Sequence, residues 1–223
     1  MNKNKELFQK DYWERDNLNK RRTPNHPVIS AYVNSRIDIL KRYVKIDEKT
    51  TLLDVGCVNG YFTYYFDKIC DTTGVDYSEK LLENNPVKKK YLMDANNLQF
   101  ADNSFDIVFA HAVLHHVDDI DKILREMRRV SKKYVVILDC NRNNPLFFVY
   151  SLIVKEEAKI IDFSLNYLRK KMIKTGLDIS NSFSYGLLFP NKTPTIMAPL
   201  VKMIDFKHPL GITNIIIGEK NSN

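Results

Sequence analysis

A glycine loop and a series of aspartates carry the first chemical signal. The segment Asp54-Val55-Gly56-Cys57-Val58-Asn59-Gly60 follows a short apolar run and precedes an aromatic-rich stretch beginning at Tyr61. Glycines between a strand and a helix let the backbone approach a ligand, and the unpaired N–H groups of a helix start attract anionic groups. Asp76 follows the loop by about 20 residues, the separation at which a carboxylate accepts hydrogen bonds from ribose hydroxyls in dinucleotide-binding folds. Asp94 ends the next apolar run and offers an acceptor for an exocyclic amine such as that of adenine. Singly, each aspartate reads equally well as a loop N-cap, and the glycine pair as a tight turn. As an ordered set at successive strand ends, they imply one crevice that takes a nucleotide-like ligand.

The elements that must position these residues alternate short apolar runs with amphipathic stretches from about residue 50 to 140, the rhythm of βαβ units and a parallel sheet. Five strands are expected: Thr51 to Val55, Thr73 to Asp76, Tyr91 to Asp94, Phe105 to Ala110 and Tyr134 to Leu138. Asp118 or Asp119 can cap a helix whose Ile120, Ile123, Leu124, Met127 and Val130 share one face. Ser164 can cap a second, with Leu165, Leu168, Met172 and Ile173 inward and Gly176 ending it, and a third is expected to start at Thr193-Pro194. Residues 177 to 186 offer a further strand, and Asn214 to Gly218 reads as a last buried one. Residues 1–48 show helical spacing at Ile37, Leu40 and Val44 and no strand-like run, so they are expected to form an N-terminal helical lid or buttress on a domain spanning 49–223.

At this level of detail the chain resembles the class I methyltransferases, in their type-11 branch. The resemblance rests on Leu52 to Gly60, then Gly74-Val75-Asp76-Tyr77-Ser78, Asp94-Ala95, Phe105-Asp106-Ile107-Val108 and Ala112-Val113-Leu114-His115-His116-Val117, in the family's order. It implies an α/β, Rossmann-like, seven-stranded and mostly parallel sheet with helices on both faces and one antiparallel strand near the C-terminus. It also implies S-adenosyl-L-methionine as cofactor. Asp54, Gly56 and Gly60, with Cys57 and Asn59 in the same loop, would hold its methionine part. Asp76 would take the ribose hydroxyls, Tyr77 would lie beside the adenine, and Asp94 and Ala95 would face the adenine edge. His111, at the end of the fourth strand, would stand near the sulfonium and the acceptor, and it is the expected general base for a hydroxyl or acidic-carbon acceptor.

One position departs from the family. Val58 stands where a third glycine is usual, and a β-branched residue there is strained if the loop requires a positive φ. The alternatives are a non-catalytic cofactor-binding module of the same fold and a methyltransferase for tRNA or other nucleic acid. A nicotinamide-dependent oxidoreductase fits less well, because G-x-G-x-x-G is absent: after Gly56 the next glycine is Gly60. His111 and His115, four apart, could meet as metal ligands with His116 or Asp118, but HExxH is missing and no metal is expected.

The apolar fraction of 44% predicts a packed core rather than disorder. Cys57, Cys70 and Cys140 are odd in number and lack CxxC spacing, which argues against a disulfide framework or zinc ribbon and for a reducing, cytoplasmic setting. The net charge of +7 is spread over scattered basic pairs and triplets, and nothing matches a nucleic-acid-binding motif. The longest apolar run, Pro145 to Val154, is too short to span a bilayer. Its first part, Pro145-Leu146-Phe147-Phe148-Val149-Tyr150, reads as core helix, with a lipophilic pocket wall or a membrane-facing surface as the alternatives. The acceptor pocket is expected to draw on Tyr12, Trp13 and the segment Asn141 to Pro145. An Asn-Pro turn followed by a pair such as Glu156-Glu157 resembles family members acting on small-molecule, glycan or lipid-linked acceptors. Such an acceptor is expected here, with peripheral membrane contact compatible and oligomeric state undetermined.

Overall fold

The computed structural model describes residue 14 and residues 21–221; Tyr12 and Trp13 lie outside the described residues. The first helix given in full by the described residues, α1 (Pro27–Leu40), begins on the His26 side chain, which accepts from the Val28 N–H, and carries a proline in its first turn, where no N–H is needed. The sheet and its helices follow as β1 (Thr51–Val55), α2 (Tyr61–Phe66), β2 (Asp71–Asp76), α3 (Glu79–Glu83), β3 (Lys90–Leu92), β4 (Phe105–His111), α4 (Ile120–Val130) and β5 (Ser131–Cys140). The remainder is α5 (Pro145–Ile153), α6 (Leu165–Lys174), β6 (Leu177–Tyr185), α7 (Val201–Ile204) and β7 (Thr213–Lys220).

Seven strands form one sheet in the order β3-β2-β1-β4-β5-β7-β6. β1 to β5 pair in parallel, and β7 runs antiparallel to both β5 and β6. The expected run Asn214 to Gly218 is thus the one antiparallel strand, and the expected α/β architecture holds. The chain builds outward from β1 to β3, then crosses back to β4 and β5. The C-terminal ends of β1 and β4 therefore part at a topological switch point, where such sheets open a crevice.

Both faces of the sheet are covered, which is why its strands read as nearly continuous apolar runs. Side chains alternate across each strand: Leu52, Ile107, Phe109 and Val136 pack with α1 and α2, while Leu53, Val55, Val108 and Val135 pack with α4 and α6. Asp119 caps α4 by accepting from the Lys122 N–H, and all five expected apolar residues of that helix are buried. Ser164 caps α6 and Gly176, at φ 83°, follows its end.

Three expectations need correction. In α6, Leu168 and Met172 face inward, but Ile173 is exposed. The helix expected from Thr193-Pro194 is a 3-10 turn over Thr195–Leu200 capped by Pro194, followed by one turn of α7. Pro199 within it lacks the N–H that a longer helix would need. Finally, α5 is not core: Ser151 is its one buried residue. Among the described residues no helix is long and apolar enough to cross a membrane.

Candidate active site

The loop after β1 turns back over β2. The N–H groups of Gly56 and Cys57 both donate to the Val75 carbonyl, at 2.8 and 3.0 Å. Gly56 has φ 72°, and a Cβ there would lie 2.4 Å from the Val113 side chain, so the position requires glycine on two counts. Val58 also has a positive φ, 47°. Two bonds hold it there: its N–H donates to Asp76 Oδ2 at 3.0 Å and its carbonyl accepts from the Asn85 amide at 3.3 Å.

Asp76 is buried at the end of β2, and its other oxygen accepts from the Ser78 N–H at 3.0 Å. Burial pushes its pKa up, while the two backbone donors and Arg21 counter it. Asp54 lies deeper and accepts from Thr63 Oγ1 at 2.6 Å, tying β1 to α2; burial pushes it up to about 7. Asn59 faces the N-terminal segment: its amide donates to the Arg22 carbonyl at 3.0 Å and accepts from Arg21 Nε at 3.2 Å. Cys57 packs on Gly74, where an added Cβ would meet its sulfur at 2.8 Å.

A cavity of about 940 Å³ opens over these strand ends. Gly56, Asp76, Tyr77, Asp94, Ala95 and His111 line it, together with Val58 and Arg21. Asp54, Cys57, Asn59 and Gly60 stand behind this wall and shape the loop instead. Asp94 caps its own turn, accepting from the Asn96 N–H at 2.8 Å.

The far side of the cavity is built from β4, β5, α1 and the 3-10 segment Lys155–Asp162. His111 ends β4, with its Nε2 3.1 Å from the Tyr32 hydroxyl and its ring centroid 4.6 Å from that of Phe62. Burial, reinforced by the positive charges of Arg36 and Arg21, pushes His111 down to about 3. It is therefore neutral at physiological pH and does not titrate near neutrality as its type suggested.

His115 behaves oppositely. Its Nδ1 lies 2.5 Å from Asp139 Oδ1 and its Nε2 3.2 Å from Glu157 Oε2, with all three side chains buried. Burial opposes the charged ring, but the two carboxylates overcome it and raise the pKa to about 10. Asp139 is fixed in turn by the N–H groups of Leu114 and Cys140, at 3.0 and 2.7 Å. The nitrogen and oxygen ligand atoms of His115, His116 and Glu157 lie within 4.8 Å of one another, so the histidine expected to join His111 is grouped with Glu157 instead. Asp139 was findable by the rule that picked Asp76 and Asp94, since it is an acid at the end of a parallel strand. Tyr32 had no local signal, because its helical setting gives no hint of the cavity.

Residues 53–138 match the family model described as a methyltransferase domain. A demethylmenaquinone methyltransferase of Staphylococcus haemolyticus is 33% identical over 130 residues, covering 53% of this chain and 54% of its own. An uncharacterised methyltransferase of Schizosaccharomyces pombe is 30% identical over 143 residues, covering 53% and 51% respectively. The chain spans about half the length of these relatives. A crystal structure of a S-adenosylmethionine-dependent methyltransferase from Thermotoga maritima shares the fold at TM-score 0.73 and 22% identity, over 96% of this chain and 100% of that one. Strand order and the glycine loop at the switch point are those of the fold shared with this structure, and the segment within it that matches the methyltransferase-domain model carries the loop, Asp76 and Asp94.

Proposed function

We propose that the protein transfers the methyl group of S-adenosylmethionine to a small, largely apolar acceptor. The observation that carries this reading is a single cavity with a buried carboxylate, Asp76, on one side and a neutral Tyr32–His111 wall on the other. The residues fit the cofactor. Asp76 has both oxygens anchored by backbone donors and lone pairs left for a ribose diol, and Gly56 lines the same cavity, where it would lie against the methionine part. Tyr77 would flank the adenine, with Asp94 and Ala95 at its edge, and all three line the cavity.

Bound there, S-adenosylmethionine supplies an activated methyl on a sulfonium, so the chain's task is alignment and exclusion of water. Tyr32 and His111 form an uncharged wall of the cavity, backed by the Phe62 ring, beside which the acceptor would lie. An acceptor hydroxyl or acidic carbon must lose a proton. His111, the base expected from its position, is held neutral and weakly basic by its burial. Glu157 lines the same cavity and His115 orients it, so we assign the proton to the Glu157 carboxylate and leave His111 as a positioning residue. A small acceptor accords with the Staphylococcus haemolyticus relative, whose name makes demethylmenaquinone its substrate.

Calorimetry with S-adenosylmethionine on folded, cofactor-free protein tests the cofactor half. Binding is expected, and Asp76→Ala should weaken it roughly 10- to 100-fold, the worth of hydrogen bonds to a charged acceptor. No binding heat from the wild-type chain would sink the proposal. Labelled methyl donor in a lipid and small-molecule extract then identifies the product, and Glu157→Gln should lower turnover with the cofactor affinity unchanged.

A further inference from the structure

The helix α5 is built inside out. Its sequence from Pro145 to Ile153 contains no charged residue, yet Leu146 is 64%, Val149 51%, Leu152 63% and Ile153 76% exposed, while Ser151 is buried. A helix on a globular surface ordinarily turns its apolar side to the core. Polar anchors hold this one instead: the Asn144 side chain caps it and donates to the Leu210 carbonyl at 2.7 Å, and the Asn141 amide donates to the carbonyls of Pro209 and Gly211. The fold therefore fixes α5 in place while leaving Leu146, Val149, Leu152 and Ile153 exposed.

The exposed face continues into the cavity. Leu146, Phe147 and Tyr150 line it, and the Phe147 ring packs 4.8 Å from that of Phe189 on the opposite lip. Basic residues flank the apolar patch: Arg142 precedes the helix, Lys155 follows it and Lys192 stands at the cavity lip. Exposed apolar patches of this kind mark interaction surfaces. A second copy of the chain docking by a two-fold axis would set these basic flanks against each other, whereas an anionic bilayer complements them. A nine-residue helix is too short to span a bilayer and is suited to lie in its surface.

We propose that α5 docks the protein on an anionic lipid surface with the cavity mouth against the bilayer. An apolar acceptor then passes from lipid past Leu146, Phe147 and Tyr150 to the methyl-transfer site, a step that rests on the function proposed above; the docking itself does not.

The test is co-sedimentation of the full chain with vesicles of phosphatidylcholine, with and without phosphatidylglycerol, for the wild type and for L152E/I153E, whose positions do not line the cavity. The wild type should bind the anionic vesicles more tightly, and the double variant should lose roughly tenfold or more in partitioning. Melting temperature and calorimetric affinity for S-adenosylmethionine should be the same in both proteins. Equal partitioning of variant and wild type, or no binding by the wild type, overturns the proposal. So does a wild-type dimer in analytical ultracentrifugation that L152E/I153E converts to monomer, because the face is then an interface between copies. The vesicle arm needs no acceptor, so its failure leaves methyl transfer standing, and loss of cofactor binding in the calorimeter overturns methyl transfer without touching docking.

Discussion

At the scale of single residues, the loop after β1 holds a β-branched side chain in a conformation that glycine adopts freely. Left-handed backbone costs an L-residue roughly 1–2 kcal/mol, and glycine's extra chain entropy returns roughly 0.5–1 kcal/mol of that. Val58→Gly is therefore expected to raise stability by up to about 1 kcal/mol, or about 2–4 °C in melting temperature for a chain of this size. A lowered melting temperature would mean that Val58 packing outweighs the strain. The sequence raised this possibility as a missing glycine, but only the backbone shows that Val58 is strained, since φ is set by the bonds to Asp76 and Asn85. His115 gives a pH prediction. Its folded pKa lies near 10, above its ordinary 6.5, so its pairing stabilises the fold fully below about pH 6.5 and is lost as pH rises toward 10. In Asp139→Asn the loss should fall at lower pH and be smaller, as urea unfolding across pH 6 to 11 would show. No residue rule reveals this charge state, because the deciding carboxylates come from β5 and from the segment after α5.

At the scale of elements, α1 is bound to the rest of the chain by a buried ion pair. Arg36 Nη1 lies 2.5 Å from Asp205 Oδ2 with both side chains fully buried, and the guanidinium sits 3.5 Å from the Tyr32 ring centroid. Gly186 makes the room, since a Cβ there would lie 2.3 Å from Arg36 Nη2. Asp205→Ala leaves a buried arginine unpaired and should cost about 3–5 kcal/mol, whereas R36M/D205L, which removes both charges, should cost much less. Urea unfolding distinguishes the two, and equal losses would contradict the pairing argument. Tyr32 rides on the same helix and touches His111, so the single variant should also impair methyl transfer. Elements with strong local grammar were legible: α4 from its cap and apolar face, and β1 from a run buried on both sides. The setting of α5 is not legible, because an uncharged, mostly apolar run looks the same in sequence whether protein or something else covers it.

At the scale of the molecule, strand order alone assembles the two halves of the site. β1 to β3 bring Gly56, Asp76 and Asp94 to one side of the switch point, and β4 and β5 bring His111 and Asp139 to the other. The acid order makes the first half readable, since Asp76 ends β2 and Asp94 lies in the turn just after β3. The second half joins Tyr32, His111, His115 and Glu157, which meet only when α1 and the segment after α5 fold onto the sheet. A ligand that fills the first half bridges β1 and β2 and binds the folded chain alone. At a free concentration of about 100 times its dissociation constant it should then stabilise the fold by about 2.7 kcal/mol, or about 5–10 °C in melting temperature. Thermal unfolding with S-adenosylmethionine measures this. Asp76→Ala at the same concentration should lose most of the shift, while L152E/I153E, on the outer face, should keep all of it. A shift that survives Asp76→Ala would place the ligand away from the end of β2 and undo the assignment of the site.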